Sequence, residues 1–271
     1  MFHHCFMKFW VVWGYKALQC VVVIQARRQS TRLPDKVMLP LGGKPVLQWV
    51  VERCLRIKGC DKVICALPDD EYNDPLEKIA LDAGADVYRG SQHDVLARYY
   101  YAVKHLDTEY VMRVTSDCPL LDPDVCAELL DKVYLSNKEY GVTSWFPHGL
   151  DCEVLSKRLL VESFEKAVHK YDREHVTLWI KRHYQERTIY LKPERNFTIK
   201  NRWVLDYPAD YEFLKLCNDL LNSEENIVGW RGVVATLDSN PDAREINSKY
   251  IELWASQNRD IYKEAATQPA K

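Results

Sequence analysis

The chain has 271 residues, 47% of them hydrophobic and 28% charged, which is enough for one large α/β domain with a substantial core. Thirty-seven basic residues against thirty-nine acidic ones leave a formal net charge of −2. This balance argues against a general nucleic-acid-binding protein, which carries a basic excess or a basic stripe, so an anionic ligand must be held by a few placed cations.

The first 19 residues are apolar and aromatic, but polar and charged residues interrupt them too often for a membrane span. They also lack the basic start and the small-residue cleavage site of a secretory signal. We interpret 1–19 as an extension outside the core fold, with a weak partner or membrane contact as the alternative. Residues 20–258 then form the domain, and 259–271 are a frayed tail.

Strands and helices alternate at short intervals in the first half of the chain. Short apolar runs rich in β-branched residues predict strands buried on both faces of a parallel sheet, and helical spacing of apolar residues separates them. The predicted strands are 21–24, 62–67, 85–88 and 110–115. The predicted helices are 46–55, 73–84, 91–106 and 122–135. This alternation predicts right-handed βαβ units around a parallel sheet.

The pattern is looser after Gly141, but no linker or repeat interrupts it. The predicted strands here are 142–145, 152–155, 188–191 and 202–205, and the predicted helices are 156–169, 173–184, 208–221 and 242–256. We therefore predict one α/β domain, a three-layer α/β/α arrangement with a mainly parallel central sheet and a small substrate-facing subregion. The nine cysteines are scattered, odd in number and without a CxxC pair, which favours reduced thiols in a cytoplasmic protein over a zinc or disulfide framework.

The loop after the first predicted strand is rich in basic residues. Within residues 25–36 it carries three arginines and a lysine, interleaved with Ser30 and Thr31. A triphosphate needs this mixture of guanidinium forks, an ammonium group and hydroxyl or backbone donors. The loop has neither the GxxxxGK[ST] of a P-loop nor the GxGxxG of a dinucleotide site. From chemistry alone, a solvated charged loop remains an equal alternative.

Two acidic loops follow later strands. Asp117 comes directly after the strand that ends at Thr115, and Asp206 follows the predicted strand 202–205. Ligands of open parallel sheets bind beyond the carboxyl ends of the strands, and an acidic residue there suits Mg²⁺, a hard cation. Asp122 and Asp124 are better explained as a helix cap and a first-turn acid.

The segment 91–94, with the sequence SQHD, has the spacing of a capping box. Ser91 and Asp94 are both explained locally by that role.

A resemblance covers most of the chain. The run QARRQSTRLPDKVMLPLGGKPVLQWVVERC resembles the opening signature of the SpsF-like cytidylyltransferases of spore-coat polysaccharide biosynthesis. Five further blocks resemble that family in the same order, from about residue 20 to residue 215: RGSQHDVLARYYYA, RVTSDCPLLDPDV, FPHGLDCEV, REHVTLWI and RWVLDYPADYEFL. The family is related to the CMP-Kdo and acylneuraminate cytidylyltransferases. One departure is Tyr207, where the family's DTPED turn has a small threonine, so loop packing there is open to change.

The resemblance implies a Rossmann-like fold of the GT-A, nucleotide-diphospho-sugar transferase type. It implies a cytidylyltransferase that moves CMP from CTP to an acidic sugar of the ulosonic or nonulosonic type, releases pyrophosphate and serves surface polysaccharide synthesis. It also implies one or two Mg²⁺ ions and a possible homodimer. A different nucleotide, a phosphonate acceptor, a GT-A-like glycosyltransferase and an inactive nucleotide-binding module remain alternatives.

The resemblance also assigns residues. Metal binding falls to Asp117 and Asp206, and catalysis to Arg27, Lys36, Asp117 and Asp206. The nucleotide-binding residues it implies are Gln25, Ala26, Arg27, Ser30, Arg32, Lys36, Ser91, Asp94, Arg98 and Asp117. The acceptor-binding residues it implies are His148, Gly149, Asp151, Glu153, Arg173, His175 and Arg202, with Arg173 the candidate for the acceptor carboxylate. Arg202 is either structural or ligand-facing, and no general base is assigned.

Overall fold

The computed structural model describes residues 18–221 and 227–253. Its strands are β1 (Leu18–Gln25), β2 (Pro40–Leu41), β3 (Lys44–Pro45), β4 (Cys60–Pro68), β5 (Asp86–Gly90), β6 (Thr108–Thr115), β7 (Tyr140–Thr143), β8 (Glu153–Ser156) and β9 (Thr188–Leu191). Its helices are α1 (Val46–Cys54), α2 (Asp74–Asp82), α3 (Val95–Val103), α4 (Pro123–Leu135), α5 (Lys157–Lys166), α6 (Lys170–His175), α7 (Leu178–His183), α8 (Pro208–Leu221), α9 (Trp230–Ser239) and α10 (Asp242–Glu245).

Seven strands form one sheet in the order β5-β4-β1-β6-β8-β7-β9. The pairs β5–β4, β4–β1, β1–β6 and β7–β9 are parallel, whereas β8 runs antiparallel to both β6 and β7. The mainly parallel sheet predicted from the sequence is confirmed. The antiparallel strand β8 marks the boundary between the βαβ half and the later subregion.

Strand β1 is buried on both faces, as its unbroken apolar run predicts. Val22 and Ile24 belong to one core cluster, which also contains residues of α1, α4 and α8. Val21 and Val23 belong to a second cluster, which contains residues of α3, α5 and α7. Because successive side chains of a strand point to opposite faces, this division produces three layers, helices–sheet–helices.

Three predicted elements are wrong in extent or kind. The predicted strand 202–205 is no sheet strand, because this segment forms only an isolated bridge between Arg202 and His148. The predicted helix 173–184 is two helices, because Val176 has a positive φ of 61° with ψ of −55° and forms a tight turn between α6 and α7, in which Thr177 N donates to the His175 carbonyl oxygen. The predicted helix 242–256 is interrupted after Glu245, and its end lies outside the described residues.

Two further elements were not predicted. Helix α9 has Gly229 as its N-cap residue, and β2 and β3 form a short hairpin closed by Gly42 and Gly43. Strand β1 begins at Leu18, two residues inside the predicted extension. The remaining extension and the predicted tail lie outside the described residues. Within the described part of the chain, eight cysteines carry no disulfide, and no helix is long and apolar enough to cross a bilayer.

Candidate active site

The three loops singled out in the sequence meet at one edge of the sheet. The amide of Ser116, just beyond β6, donates to the carbonyl oxygen of Gln25 at the end of β1 (3.1 Å). The amide of Leu205 donates to the carbonyl oxygen of Asp117 (2.8 Å). These backbone bonds bring the carboxyl ends of β1 and β6 together with the segment that carries Asp206. The convergence of two acids far apart in sequence, expected from a parallel sheet, is therefore observed.

Lys36 lies between the two acids. Its Nζ is 2.7 Å from Asp117 Oδ2 and 2.8 Å from Asp206 Oδ1, and its side chain is only 12% exposed. Burial alone would lower the pKa of Lys36, but the two carboxylates outweigh it and raise that pKa. The same ammonium offsets burial at the two acids, and the pKa of Asp117 and that of Asp206 are both lowered. All three groups are therefore charged at neutral pH.

Arg28 fixes the loop that carries Lys36. Its Nε donates to Asp35 Oδ1 (2.8 Å), and its guanidinium group lies 3.9 Å from the centre of the Tyr72 ring. Asp35 itself has φ of 56° and receives a further hydrogen bond from Tyr72 Oη (3.0 Å). The hydrogen bond from Arg28 lowers the pKa of Asp35. The guanidinium group of Arg28 therefore stabilises the conformation of the loop.

Arg27, unlike Arg28, is not held by contacts within the loop. Its side chain is exposed and makes no hydrogen bond or ion pair within the described part of the chain. Ser30 Oγ accepts a long hydrogen bond from Leu33 N (3.4 Å), and Gln25 Oε1 lies 3.3 Å from Tyr99 Oη. Ala26 is buried at the start of the loop. Arg27 is therefore the cation of this loop that remains open to a ligand.

Arg32 and Arg202 add two cations around Asp206. Arg32 lies 2.8 Å from Asp206 Oδ1 and 5.0 Å from the Tyr207 ring, the residue that departs from the family pattern. Arg202 is fully buried, paired through Nε with Asp210 Oδ1 (2.9 Å) and through Nη2 with Asp206 Oδ2 (3.3 Å). Of the two roles considered for Arg202, the geometry shows the structural one. Asp210 also accepts from the backbone amides of Asp206 and Tyr207, so it fixes the turn that presents Asp206.

The two carboxylates suit Mg²⁺. Asp117 and Asp206 present hard oxygen donors to one shared cation, and here the Lys36 ammonium is that cation. No group of three or more metal-ligating side chains occurs within residues 18–221 and 227–253. Mg²⁺ is commonly bound by one or two carboxylates together with water and substrate phosphates. The donor set therefore fits a metal that shares its ligands with a nucleotide.

A cavity of about 910 Å³ opens beside these acids. Of the predicted site residues, its lining includes Arg32, Asp117, His148, Asp151, Glu153, His175 and Asp206. The remaining predicted nucleotide residues do not line it. Four of the seven predicted acceptor residues therefore line the cavity, whereas of the ten predicted nucleotide residues only Arg32 and Asp117 do.

His148 lines the cavity and is largely buried. Burial lowers its pKa, so the ring is neutral at neutral pH. Its Nδ1 lies 3.2 Å from Arg202 Nη1, and since a guanidinium group can only donate, the ring proton resides on Nε2.

Gly149, the neighbour of His148, has φ of 112°, and a Cβ there would come within 2.7 Å of the Trp203 carbonyl carbon. Gly149 is therefore required by close backbone approach, and its amide donates to Asp151 (2.9 Å).

Arg173 does not face the cavity. Its Nε donates to Asp94 Oδ2 (2.9 Å), its Nη2 to the same oxygen (2.5 Å), and its Nη1 to the Phe164 carbonyl (2.7 Å). These bonds use the guanidinium group, which corrects the expectation that Arg173 receives the acceptor carboxylate. His175, two residues on, does line the cavity, and burial lowers its pKa.

The capping box predicted with Ser91 as its N-cap is only partly formed. Asp94, not Ser91, is the N-cap residue of α3, accepting from Ala97 N (2.9 Å), while Ser91 Oγ accepts from Asp94 N (3.1 Å). The buried Arg98 donates to the carbonyl oxygens of Ser91 (2.6 Å) and Gln92 (3.2 Å). Burial lowers the pKa of Arg98 to about 10. These contacts account for all three side chains locally, and their contact with a nucleotide stays a prediction.

Sequence reasoning missed several cavity residues. Arg113, Tyr140, Lys181 and Arg182 all line the cavity. Arg113 had a readable signal, because it is an arginine inside the otherwise apolar strand segment YVMRVTSD, where a charge needs a partner or a ligand. Lys181 and Arg182 gave no such signal, since α7 looked like the solvated end of a longer helix.

Comparisons with known proteins show the family of the chain. The chain matches the family model described as cytidylyltransferase over residues 21–263. The spore coat polysaccharide biosynthesis protein SpsF of Bacillus subtilis (strain 168) is 31% identical over 228 residues, which cover 82% of this chain and 95% of that protein. A cytidylyltransferase from Leptospira borgpetersenii serovar Hardjo-bovis has a similar structure, with a TM-score of 0.78 at 29% identity, over 83% of this chain and 96% of that chain.

A more distant solved structure shares the fold. It is the CMP:2-keto-3-deoxy-manno-octonic acid synthetase complexed with CTP, with a TM-score of 0.56 at 17% identity, over 77% of this chain and 100% of that chain. At that identity the likeness concerns the fold, and the predicted nucleotidyltransferase type of architecture is confirmed.

Proposed function

This chain belongs to the cytidylyltransferase family and takes CTP as co-substrate, and from that premise we propose that it transfers CMP to an acidic sugar of the ulosonic or nonulosonic type, or a similar acceptor. The product pair is a CMP conjugate and pyrophosphate, and the proposed use is surface polysaccharide synthesis. One observation supports the proposal most strongly. Asp117 and Asp206, which share an ion pair with Lys36, line a cavity large enough for a sugar acid.

The proposed reaction is an in-line displacement at the α-phosphorus of CTP. The acceptor hydroxyl oxygen forms the new bond to phosphorus, the bond to the pyrophosphate oxygen breaks, and the hydroxyl proton passes to solvent. Arg27, exposed in the loop after β1, binds the departing phosphates together with Lys36. Arg32 is the third cation within reach, since it already lies on the Asp206 side of the site.

Asp117 and Asp206 would hold Mg²⁺ in this scheme. When bound, the metal neutralises charge that develops on the phosphate oxygens. The residues of the chain have the task of presenting the two carboxylates together, which the Leu205–Asp117 backbone bond and the Asp210 turn accomplish. His148 contributes orientation rather than base catalysis, because its Nδ1 accepts from Arg202 and its Nε2 carries the proton.

A pyrophosphate-release assay tests the function. The purified chain is incubated with each of the four nucleoside triphosphates, Mg²⁺ and a panel of sugar acids, and products are identified by mass spectrometry. Among the four triphosphates, we expect only CTP to give pyrophosphate release. We also expect a CMP conjugate of one acid in the panel. Release with another triphosphate, or CTP binding without turnover for every acceptor, would contradict the proposal.

A further inference from the structure

Three buried polar atoms without hydrogen-bond partners meet at one end of the cavity. They are Arg113 Nε, Tyr140 Oη and Glu153 Oε2, and all three residues line the cavity. The other side-chain atoms of this kind in the described part of the chain belong to residues outside the cavity lining. Buried polar groups in folded proteins are nearly always hydrogen-bonded, so a cluster of exceptions facing a cavity needs an explanation.

Arg113 is the most unusual of the three. It donates no hydrogen bond to any residue in the described part of the chain, whereas Arg98, Arg173 and Arg202 each donate at least two. Its closest carboxylate contact is Glu153 Oε1 at 3.6 Å, and Lys181 already holds that oxygen at 2.8 Å. A largely buried guanidinium group with five unused donors is costly unless a ligand occupies them.

Glu153 offers the complementary chemistry. Burial raises its pKa, but Lys181 and Arg113 outweigh this and lower it to about 2, so the group is ionised at neutral pH. An ionised carboxylate accepts hydrogen bonds only. The Thr177 hydroxyl, which also lines the cavity, contributes to the lowered pKa of Glu153, but Oε2 has no hydrogen bond of ordinary length. The cluster therefore offers charged donors from Arg113, a hydroxyl from Tyr140 and a charged acceptor from Glu153, which together match a chain of hydroxyl groups.

The position of the cluster on the sheet fixes which part of an acceptor it meets. Arg113 and Thr115 lie on the same face of β6 and both line the cavity, and Asp117 follows beyond the strand end. Two residues of extended strand, from Arg113 to Thr115, already span roughly 7 Å between Cα atoms, and Asp117 lies farther along in the turn after the strand. A molecule whose reacting hydroxyl lies at Asp117 meets Arg113 only with its remote end.

We propose that Arg113, Tyr140 and Glu153 form the subsite that recognises the polyhydroxylated end of the acceptor remote from its reacting hydroxyl. This rests on the proposed function for its orientation, because the reacting end is taken to lie at Asp117 and Asp206. Arg113 and Tyr140 donate to acceptor oxygens, and Glu153 accepts from an acceptor hydroxyl. These residues then select for acceptor length, and Arg113 is the main determinant.

Binding of two sugar acids tests this subsite. The probes are 2-keto-3-deoxy-manno-octonic acid and 2-keto-3-deoxygluconic acid, which share the reacting end and differ in the length of the hydroxylated tail. Each is titrated calorimetrically into the nucleotide-free full chain. We expect Arg113→Gln to weaken binding of the longer acid about tenfold or more and that of the shorter acid about twofold or less.

Controls separate recognition from folding. Arg231→Gln, at a surface arginine paired with Glu194, is expected to bind both acids as the wild type does. A recognition role confines the loss of binding in Arg113→Gln to the longer acid and leaves its CTP affinity unchanged, whereas a purely structural role in the ion pair with Glu153 would weaken binding of both acids alike. Tyr140→Phe keeps the ring packing and is expected to weaken binding of the longer acid about threefold or more.

Several results would overturn the proposal. They are equal affinity of wild type and Arg113→Gln for the longer acid, an equal loss for both acids, and no saturable binding of either acid to the wild type. Should Arg113→Gln fail to fold, Tyr140→Phe decides, and its unchanged affinity overturns the proposal. Because the titrations contain no CTP, a failure here is distinct from a failure of pyrophosphate release.

Discussion

At the scale of single residues, the site is a balance of charge around two carboxylates. Lys36 contacts Asp117 and Asp206 together, and Arg32 and Arg202 add further cations at Asp206. A divalent ion approaching this arrangement meets cations that already neutralise its ligands. Nucleotide phosphates would draw Lys36 and Arg32 away, so metal and nucleotide are expected to enter together.

Lys36→Met tests this competition. Removing the ammonium exposes Asp117 and Asp206 to a metal, so we expect nucleotide-free protein to bind Mn²⁺ at least about tenfold more tightly, measured by calorimetry. The variant should also melt at a lower temperature without Mn²⁺, because two carboxylates lose their partner, and recover when Mn²⁺ is added. Lys44→Met, which removes a partner of Glu52, is the matched control. Mn²⁺ affinity equal to or below that of the wild type would contradict this view of Lys36.

Glu153 gives a prediction for pH. Its pKa is lowered from 4.5 in the folded protein to about 2, so its ion pairs stabilise the fold fully above pH 4.5. That stabilisation is lost as the pH falls from 4.5 towards about 2. We expect Glu153→Gln to lower the free energy of unfolding by about 3 kcal/mol at neutral pH, because Lys181 and Arg113 lose their carboxylate.

Urea unfolding of wild type and Glu153→Gln at a series of pH values measures this. The difference between the two proteins should shrink as the pH falls below 4.5. Glu212→Gln, at an exposed glutamate paired with Lys215, should show no such trend. A difference that stays constant across the acidic range would show that Glu153 is not the titrating group.

At the scale of elements, one aspartate joins two helices. Asp122 Oδ1 accepts from the backbone amides of Asp124 and Val125 at the start of α4, and its Oδ2 accepts from Trp230 N at the start of α9 (2.6 Å). The sequence predicted the first role from the Asp-Pro pair, and the second could not be read because α9 itself was not predicted. The cap therefore also ties α9 to the loop that follows Asp117.

Asp122→Ala is expected to lower the free energy of unfolding by about 2 kcal/mol, since it removes a cap and leaves Trp230 N without its acceptor. Asp124→Ala, at the exposed first-turn acid, should cost under about 1 kcal/mol. Chemical denaturation of both variants gives the comparison. Equal costs would mean that the contact with α9 contributes nothing.

The parts of the fold that the sequence predicts well are those with a local signal. Apolar runs such as the one in β1 and caps such as Ser156, which accepts from Leu159 N, are read directly from residue type and spacing. The break at Val176 could not be read, because a β-branched residue gives no hint of a backbone with positive φ. The segment at Arg202 has a strand-like composition, but its bridge partner is a loop, which only the tertiary structure supplies.

The same distinction applies to the site. Lys36, Asp117 and Asp206 were predicted from loop position and resemblance, and the structure brings them together through the carboxyl ends of β1 and β6 and the backbone bond from Leu205 to Asp117. Arg173 was misjudged, because its partner Asp94 is 79 residues away in sequence and the pairing leaves no local trace. The unused donors of the Arg113 guanidinium group likewise could not be read from the sequence, because they depend on tertiary contacts alone.

At the scale of the whole molecule, the architecture has two halves with different tasks. The parallel strands β5, β4, β1 and β6 carry the basic loop and Asp117, and the subregion built on β8, β7 and β9 lines the cavity. The antiparallel strand β8 brings Glu153 into register with Arg113 of β6, which joins the two halves at the proposed acceptor subsite. The homodimer implied by the family resemblance stays a prediction.

The central claim is that Lys36, Asp117 and Asp206 form the centre that transfers CMP from CTP. It is tested most directly by the rate of CTP-dependent pyrophosphate release, with an acceptor found by the screen, in the wild type and in Lys36→Ala, Asp117→Asn, Asp206→Asn and Asp124→Asn. The account predicts that the first three variants each lose at least about tenfold, roughly 1.4 kcal/mol of barrier, while Asp124→Asn keeps the wild-type rate. Wild-type turnover in Lys36→Ala and Asp117→Asn would contradict it.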